Sequence, residues 1–353
     1  MTSEIQPIEL DGRTIGPGHP PYIIGELSAN HGGDFDRAER IINEAAAAGA
    51  DAIKFQLYSP DSITLNSDRP DFMVQSQGLW KGRRLYELYA EAATPIEWFP
   101  RLFDATRKAG ATPFASVFAP GDIEILENLD APAYKVASFE AIDHALVEAC
   151  ARTGKPVIIS TGLCTFEEIQ ETVEAFRAAG GKGLALLRCN SAYPAAPEEA
   201  DLATIPHMAQ AFDVPVGYSD HTLTSYQAIA AVALGACIVE KHVIDAREPA
   251  TADSAFSCLP EQFAELVQGC HAAFAASGKV RYGPTPKETG SLQFRRSLYA
   301  VKNIQAGEPF SEDNVRSVRP GCGLPPKHLA QVLRSVATRD IDAGEPISFD
   351  LLR

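Results

Sequence analysis

The chain is short of positive charge. Its 353 residues carry 31 Lys+Arg against 46 Asp+Glu, a formal net charge of −15 with a pI near 5.0. Nucleic acid and anionic membranes are captured by a basic face, so neither is expected as a partner, and any phosphate bound here has to be held by a local cluster of cations. Paired cysteines are missing as well. The seven thiols (Cys150, Cys164, Cys189, Cys237, Cys258, Cys270 and Cys322) are odd in number and scattered, with no CxxC among them. This argues against a zinc or dithiol redox site and for free thiols in a reducing compartment. No run approaches the roughly eighteen apolar residues of a membrane span. The opening "MTSEIQPIEL" has no basic stretch followed by an apolar one, so a soluble, cytoplasmic protein is expected. The glycine fingerprint of a dinucleotide-binding turn is absent too, which weighs against an open doubly wound sheet.

What is present is ordinary globular composition, 45% hydrophobic and 22% charged, arranged with a rhythm. Eight short runs read as strands: 22–26, 51–57, 112–118, 133–137, 156–161, 184–189, 214–219 and 237–242. Between them lie segments with apolar residues at helical spacing, such as "FDRAERIINEAAAAGA" and "TFEEIQETVEAFRAAGG", the latter opening on a Thr165 cap and closing on glycine. Strand–helix alternation repeated eight times predicts an α/β fold, a closed (β/α)8 TIM barrel, over residues 1–283. The stretch 58–98 after the second strand interrupts the rhythm, and in a barrel it leaves from the face where active sites are built, as a wall or lid. Residues 284–294 read as a linker. Residues 295–353 repeat themselves, "NIQAGEPFSED" and "DIDAGEPISFD" sharing I-x-A-G-E-P-x-S-x-D, which predicts a small, mostly β domain with internal pseudo-symmetry.

Catalytic groups of such barrels stand at the C-terminal strand ends, and side chains alternate between interior and helix layer. Strand by strand, the polar residues expected at one mouth are Glu26; Lys54 and Gln56; Ser116; Lys135, Ser138 and Glu140; Ser160 and Thr161; Asn190, Ser191 and Tyr193; Ser219 and His221; and Glu240 and His242. A lone lysine in a strand is ordinarily ion-paired and a lone histidine ordinarily structural. Here the last two strands are neighbours, so His221 and His242 can meet. Two imidazoles suit a divalent ion with coordination positions left open. Lys54 and Lys135 among hydroxyls describe an oxyanion or phosphate cradle. A rival for one lysine is a Schiff-base nucleophile.

Most of these residues fall within "GELSANHGGD", "GADAIKFQ", "AYKVASFE", "STG", "GYSDHT" and "VEKH", which, with "RSLYAVKNIQAGE" and "VRPGCGL" near the C-terminus, resemble the N-acetylneuraminate synthase family. The resemblance runs from about residue 20 to the end, and implies a TIM barrel followed by an antifreeze-like (SAF, β-clip) domain. It also implies a transferase that joins phosphoenolpyruvate to an amino sugar with release of phosphate by C–O cleavage. It places a divalent metal, Mn2+ or Mg2+, on His221 and His242. Phosphoenolpyruvate contacts fall on Lys54, Lys135, Ser138, Ser160, Ser191 and Ser219. Sugar and catalytic roles fall on Glu26, Gln56, Glu140, Tyr193 and Asp253. Ser116 stands where the family commonly has threonine, and Asn190 and Ser191 both match one phosphate contact. Arg319, in the loop between the two repeats, is implied to reach the active site of the partner subunit in a homodimer. Within the family "DSAFS" (253–257) is similar to the pseudaminate-forming branch, implying a 2,4-diacetamido-2,4,6-trideoxyaltrose as acceptor; neuraminate- and legionaminate-forming enzymes with the same chemistry are the alternative. A reading from another class is a catalytically silent barrel that binds carbohydrate.

Overall fold

A computed structural model of the chain describes residues 5–75 and 81–353. Residues 1–4, part of the N-terminal stretch without a signal pattern, and 76–80, within the insertion, lie outside the described residues. Two compact units follow one another, Met1–Gly278 and Lys279–Arg353.

The first unit is built on eight parallel strands that close into a barrel. A short antiparallel hairpin, β1 (Ile8–Leu10) and β2 (Arg13–Ile15), precedes them. The barrel strands are β3 (Tyr22–Glu26), β4 (Ala52–Leu57), β5 (Thr112–Val117), β6 (Tyr134–Val136), β7 (Val157–Ser160), β8 (Leu184–Cys189), β9 (Val216–Asp220) and β10 (Ile238–His242), with β10 pairing back onto β3. Every strand is covered on its outer face by helices, which is why the runs are apolar almost without interruption. Outward residues such as Ile23, Phe55, Val117, Val136, Ile159, Leu186, Tyr218 and Val239 join the helices in one core.

The inward residues carry the functional information, because each strand changes character along its length. Tyr22, Ile24, Ala52, Phe114, Ala133, Ile158, Ala185, Leu187 and Ile238 fill the lower interior, and Ile8, Leu10 and Ile15 of the hairpin pack into the same cluster. Two residues further along each strand the inward series turns polar: Glu26, Lys54, Ser116, Lys135, Ser160, Ser219 and Glu240, all buried. The dry floor and the polar mouth follow from the period of two alone. Gly217 belongs to this packing. A Cβ there would stand 2.5 Å from the Ile238 carbonyl oxygen and 2.7 Å from Leu187, so only glycine lets β9 close against its neighbours.

The helices begin as the sequence indicates. Thr165 caps the helix Phe166–Ala178 in a capping box with Glu168, and the Asp34 carboxylate accepts from the amides of Asp36 and Arg37 at the start of Phe35–Ala47. In the insertion, the helix Leu85–Ala92 brings Tyr89 edge-on to Tyr58, which packs in turn on Phe118. Among the described residues no helix is long and apolar enough to cross a membrane.

The second unit holds β11 (Ser297–Ala300) and β12 (Val315–Val318), an antiparallel pair, over a core that includes Leu298, Ile304, Phe310, Ile341 and Ile347. Its internal repeat is visible bond by bond. Ile304 and Ile341 exchange backbone hydrogen bonds at 2.9 and 2.8 Å. The Ala306 amide donates to Asp340, and the equivalent Ala343 amide donates to Asn303, the residue equivalent to Asp340. Gly307 and Gly344 turn both copies at φ +84 and +92. Strand content is lower than expected, since most of the remaining pairing consists of isolated bridges. The stretch expected to be a linker contains a 3-10 helix, Pro286–Phe294.

Candidate active site

The barrel mouth sorts its polar residues into three groups. The first surrounds Lys54. Its Nζ lies 3.1 Å from Glu26 Oε2 and 3.3 Å from Glu240 Oε1, and donates to Ser116 Oγ at 3.1 Å. Strand register explains the meeting, since Glu26 is paired with Lys54 on one side and with His242 on the other. Burial alone would strip the proton from Lys54, but Glu240 and Glu26 outweigh it and hold the ammonium above the ordinary lysine range. Gln56 Nε2 donates to the other oxygen of Glu26 at 3.0 Å. Burial pushes the Glu26 carboxyl up, with Lys54 opposing. Glu240 is held well below the usual carboxylate range because Lys54 and Lys135 overcome its desolvation.

The second group surrounds Lys135, and among the described residues no carboxylate contacts it. The Nζ donates to Ser160 Oγ at 2.7 Å and to the Val136 carbonyl at 2.8 Å. Burial depresses this ammonium from 10.5 to about 8, with Glu240 the main opposing influence. Beside it, Ser138 Oγ accepts from the Gly162 amide at 3.2 Å. A Cβ on Gly162 would fall 2.3 Å from Ser191 Oγ and 2.8 Å from Ser138 Oγ, so the glycine is what allows two hydroxyls to converge. The result is one buried cation on a serine hydroxyl, with two further hydroxyls converging on Gly162, the chemistry of an oxyanion site. Glu140, on the loop after β6, is pushed up to about 7 by burial, and one of its oxygens is buried without a hydrogen-bond partner among the described residues. Its negative charge acts on Tyr89 of the insertion.

The third group is the histidine pair, with ring centroids 5.4 Å apart. His221 Nδ1 donates to the Asn190 carbonyl at 2.7 Å, which leaves the Nε2 lone pair for a ligand. Burial opposes a charge on this ring, but Cys189, with Sγ at 3.8 Å, and the Asn190 carbonyl favour one; a cation on Nε2 would satisfy the same field. His242 Nδ1 stands 3.6 Å from Asp253 Oδ2. Burial raises the Asp253 carboxyl, but His242 and Ser28 more than reverse that and hold it low. Phe256 and Tyr193 pack against both rings. On the outer face of the same two strands Lys241 and Asp220 form a buried ion pair at 2.8 Å, and Lys241 also reaches the Thr222 carbonyl, tying down the loop that starts at His221. Among the described residues no group of three or more His, Cys, Asp or Glu side chains is arranged to hold a metal. Two imidazoles do fit a borderline divalent ion that takes its remaining ligands from water and substrate; the His221 tautomer is fixed by the Asn190 carbonyl, while His242 Nδ1 is buried without a hydrogen-bond partner among the described residues.

Three expectations change. Asn190 cannot share the cradle, because its side-chain amide is engaged by Glu199 and by the Ala192 amide; it serves His221 through its carbonyl, and Ser191 is the one beside Ser138. Ser219 does not stand free for an anion, since its hydroxyl donates to Glu240 at 3.1 Å. The two lysines are not equivalent, one being compensated and the other not. Arg319 belongs to the second unit, where it is exposed, just after β12, without an ion-pair partner among the described residues. The strand pattern places Glu240 at a strand end without giving it a role, and it does not single out Gly162, Cys189 or the Lys241–Asp220 pair. Only "STG", a glycine directly after two hydroxyl residues, carries a signal for any of these.

A closed parallel barrel whose mouth collects a buried lysine, serine hydroxyls and a pair of histidines has the architecture of a TIM-barrel enzyme. The comparisons narrow this class. Residues 41–282 match the NeuB family and residues 295–353 the SAF domain, and the chain belongs to the NeuB family. It is 44% identical over 326 residues to a pseudaminic acid synthase of Campylobacter jejuni, covering 92% of this chain and 95% of that one. A pseudaminic acid synthase of Helicobacter pylori is 40% identical over 332 residues, covering 94% and 97%. Among solved structures, the N-acetylneuraminic acid synthetase of Leptospira borgpetersenii in complex with citrate matches with a TM-score of 0.73 at 30% identity, over 82% of this chain and 96% of that one.

Proposed function

We propose that this chain condenses phosphoenolpyruvate with 2,4-diacetamido-2,4,6-trideoxy-β-L-altropyranose and water to give pseudaminic acid and phosphate. The observation that carries the reading is the uncompensated Lys135 among Ser138, Ser160 and Ser191, next to the histidine pair. The high identity to two pseudaminic acid synthases over almost their full length supports the choice of sugar.

Lys135 and the three serines hold the phosphate by charge-assisted hydrogen bonds, and Lys54 attracts the carboxylate end. Glu26, Gln56, Tyr193 and Asp253 are the groups available to orient the sugar. A divalent cation, Mn2+ or Mg2+, held by His221 and His242 supplies Lewis-acid polarisation of the open-chain aldehyde. With both substrates fixed, C3 of phosphoenolpyruvate attacks the aldehyde carbon and C2 becomes cationic. Glu140, poised near neutrality by burial, takes the proton of the water that adds to C2. The C2–O bond then breaks and phosphate leaves.

Phe139, Ile142, Leu163 and Leu223 are all exposed, on loops at the C-terminal ends of β6, β7 and β9. Such an apolar rim suits a second copy of the chain, through which Arg319 of one subunit would enter the mouth of another. Mixing barrel-inactive subunits with Arg319→Ala subunits should then restore part of the activity; no restoration would assign Arg319 to its own subunit. The seven thiols are all free, which fits a reducing, cytoplasmic setting.

The test is phosphate release with phosphoenolpyruvate, Mn2+ and each of three acceptors of altrose, legionaminate-precursor and mannosamine type, ranked by kcat/KM. The altrose should lead. Preference for another acceptor would move the chain to a sister specificity, and no release with any would favour a carbohydrate-binding role.

A further inference from the structure

Glu240 is a charged group of the barrel mouth that the reading above leaves without a task. It occupies the inward face of β10, between Ile238 of the dry floor and His242 of the histidine pair. One of its oxygens, Oε1, is used: it accepts from Ser219 and lies 3.3 Å from the Lys54 ammonium. The other, Oε2, is buried without a hydrogen-bond partner among the described residues. A buried carboxylate oxygen without a donor is costly, and such groups call for an explanation in function. Lys54 lies against it from one side and Ser219 from the other, and His242 follows two residues on along the same inward face.

We propose that Glu240 is a catalytic residue whose free oxygen stabilises the positive charge that develops at C2 of phosphoenolpyruvate. This rests on the condensation proposed above. With the phosphate on Lys135 and the carboxylate toward Lys54, C2 is the atom between the two lysines, beside the carboxylate that lies among them. As the C3 π electrons form the bond to the sugar aldehyde carbon, C2 loses them and becomes an oxocarbenium conjugated with the phosphoester oxygen. The fixed negative oxygen opposes that charge through space. It forms no bond, and the cation is discharged when water adds and phosphate departs with the C2–O electron pair. Electrostatic stabilisation by a group already in place is worth about a hundredfold or more in rate when a single such group is removed.

Glu240→Gln keeps an oxygen for Ser219 and Lys54 but removes the charge. The expected result is a kcat about a hundredfold lower, with the calorimetric Kd for phosphoenolpyruvate within about threefold of wild type. Formate, a small carboxylate, should restore part of kcat to Glu240→Ala, and neutral formamide should not. A Glu240→Gln enzyme that keeps more than about a tenth of kcat, a loss confined to phosphoenolpyruvate binding, or equal effects of formate and formamide would each overturn the assignment. Wild-type protein that releases no phosphate with any acceptor would overturn the condensation itself, which is a separate outcome.

Discussion

Lys54 and Lys135 share one barrel mouth, and their surroundings differ in a single respect. Lys54 lies against two carboxylates, Glu26 and Glu240, while Lys135 meets only a hydroxyl and a carbonyl. Burial acts on both alike, yet the first ammonium is held above its ordinary range and the second falls to about 8. A buried cation with no carboxylate in contact with it among the described residues is a cost that the fold retains, and in a chain of net charge −15 it is a place where an anion gains most. Lys54 therefore ties the first and last barrel strands to its own through Glu26 and Glu240, and Lys135 waits for phosphate.

Lys135→Met breaks this comparison most severely. Losing a charged donor to a phosphate costs about 1.5–3 kcal/mol, so the Kd for phosphoenolpyruvate measured by calorimetry should rise roughly tenfold to hundredfold or more. Gly162→Ala sharpens it from the other side. The added methyl displaces Ser138 and Ser191, and loss of a neutral hydrogen bond at about 1 kcal/mol predicts a roughly fivefold to tenfold weaker Kd with a folded, metal-binding protein. The pH dependence separates the lysines directly. Because free Lys135 loses its proton near pH 8, phosphoenolpyruvate should bind with proton uptake and lose affinity as pH rises above about 8, by up to roughly tenfold per unit; calorimetry in buffers of different ionisation enthalpy reads this. The shallowest pH effect concerns the neighbouring base. With Glu140 raised to about 7, kcat should rise severalfold as pH climbs through neutrality, and Glu140→Gln should abolish that limb along with most of the turnover.

Much of this contrast is written into the sequence. The eight strands, their inward period and the meeting of His221 with His242 follow from alternation and from the rule that consecutive strands are neighbours, both local properties. The repeat of the C-terminal unit is equally plain there, and the structure adds the hydrogen bonds that its two copies exchange. What a linear reading misses depends on closure. Glu240 comes from the last strand and Glu26 from the first, and they flank Lys54 only because β10 pairs with β3. The difference between the lysines is therefore a product of the closed barrel. The choice between Asn190 and Ser191 is hidden for another reason: beyond the end of β8 side chains no longer alternate, and a loop decides which one faces the cradle.

The contrast between the lysines has opposite consequences for stability. Removing Lys54 orphans two buried carboxylates and should cost about 3–5 kcal/mol. Removing Lys135 relieves a depressed ammonium whose shift, from 10.5 to about 8, corresponds to about 3 kcal/mol. The relief applies below pH 8 and fades toward 10.5, where the unfolded chain also loses the proton. Denaturant unfolding of Lys54→Met and Lys135→Met at pH 7, each with and without phosphoenolpyruvate, therefore tests the account most directly. Lys135→Met should be at least as stable as wild type without ligand and gain almost nothing from phosphoenolpyruvate, while Lys54→Met should be clearly destabilised. A Lys135→Met protein that unfolds as easily as Lys54→Met, or that phosphoenolpyruvate stabilises as fully as wild type, would contradict it.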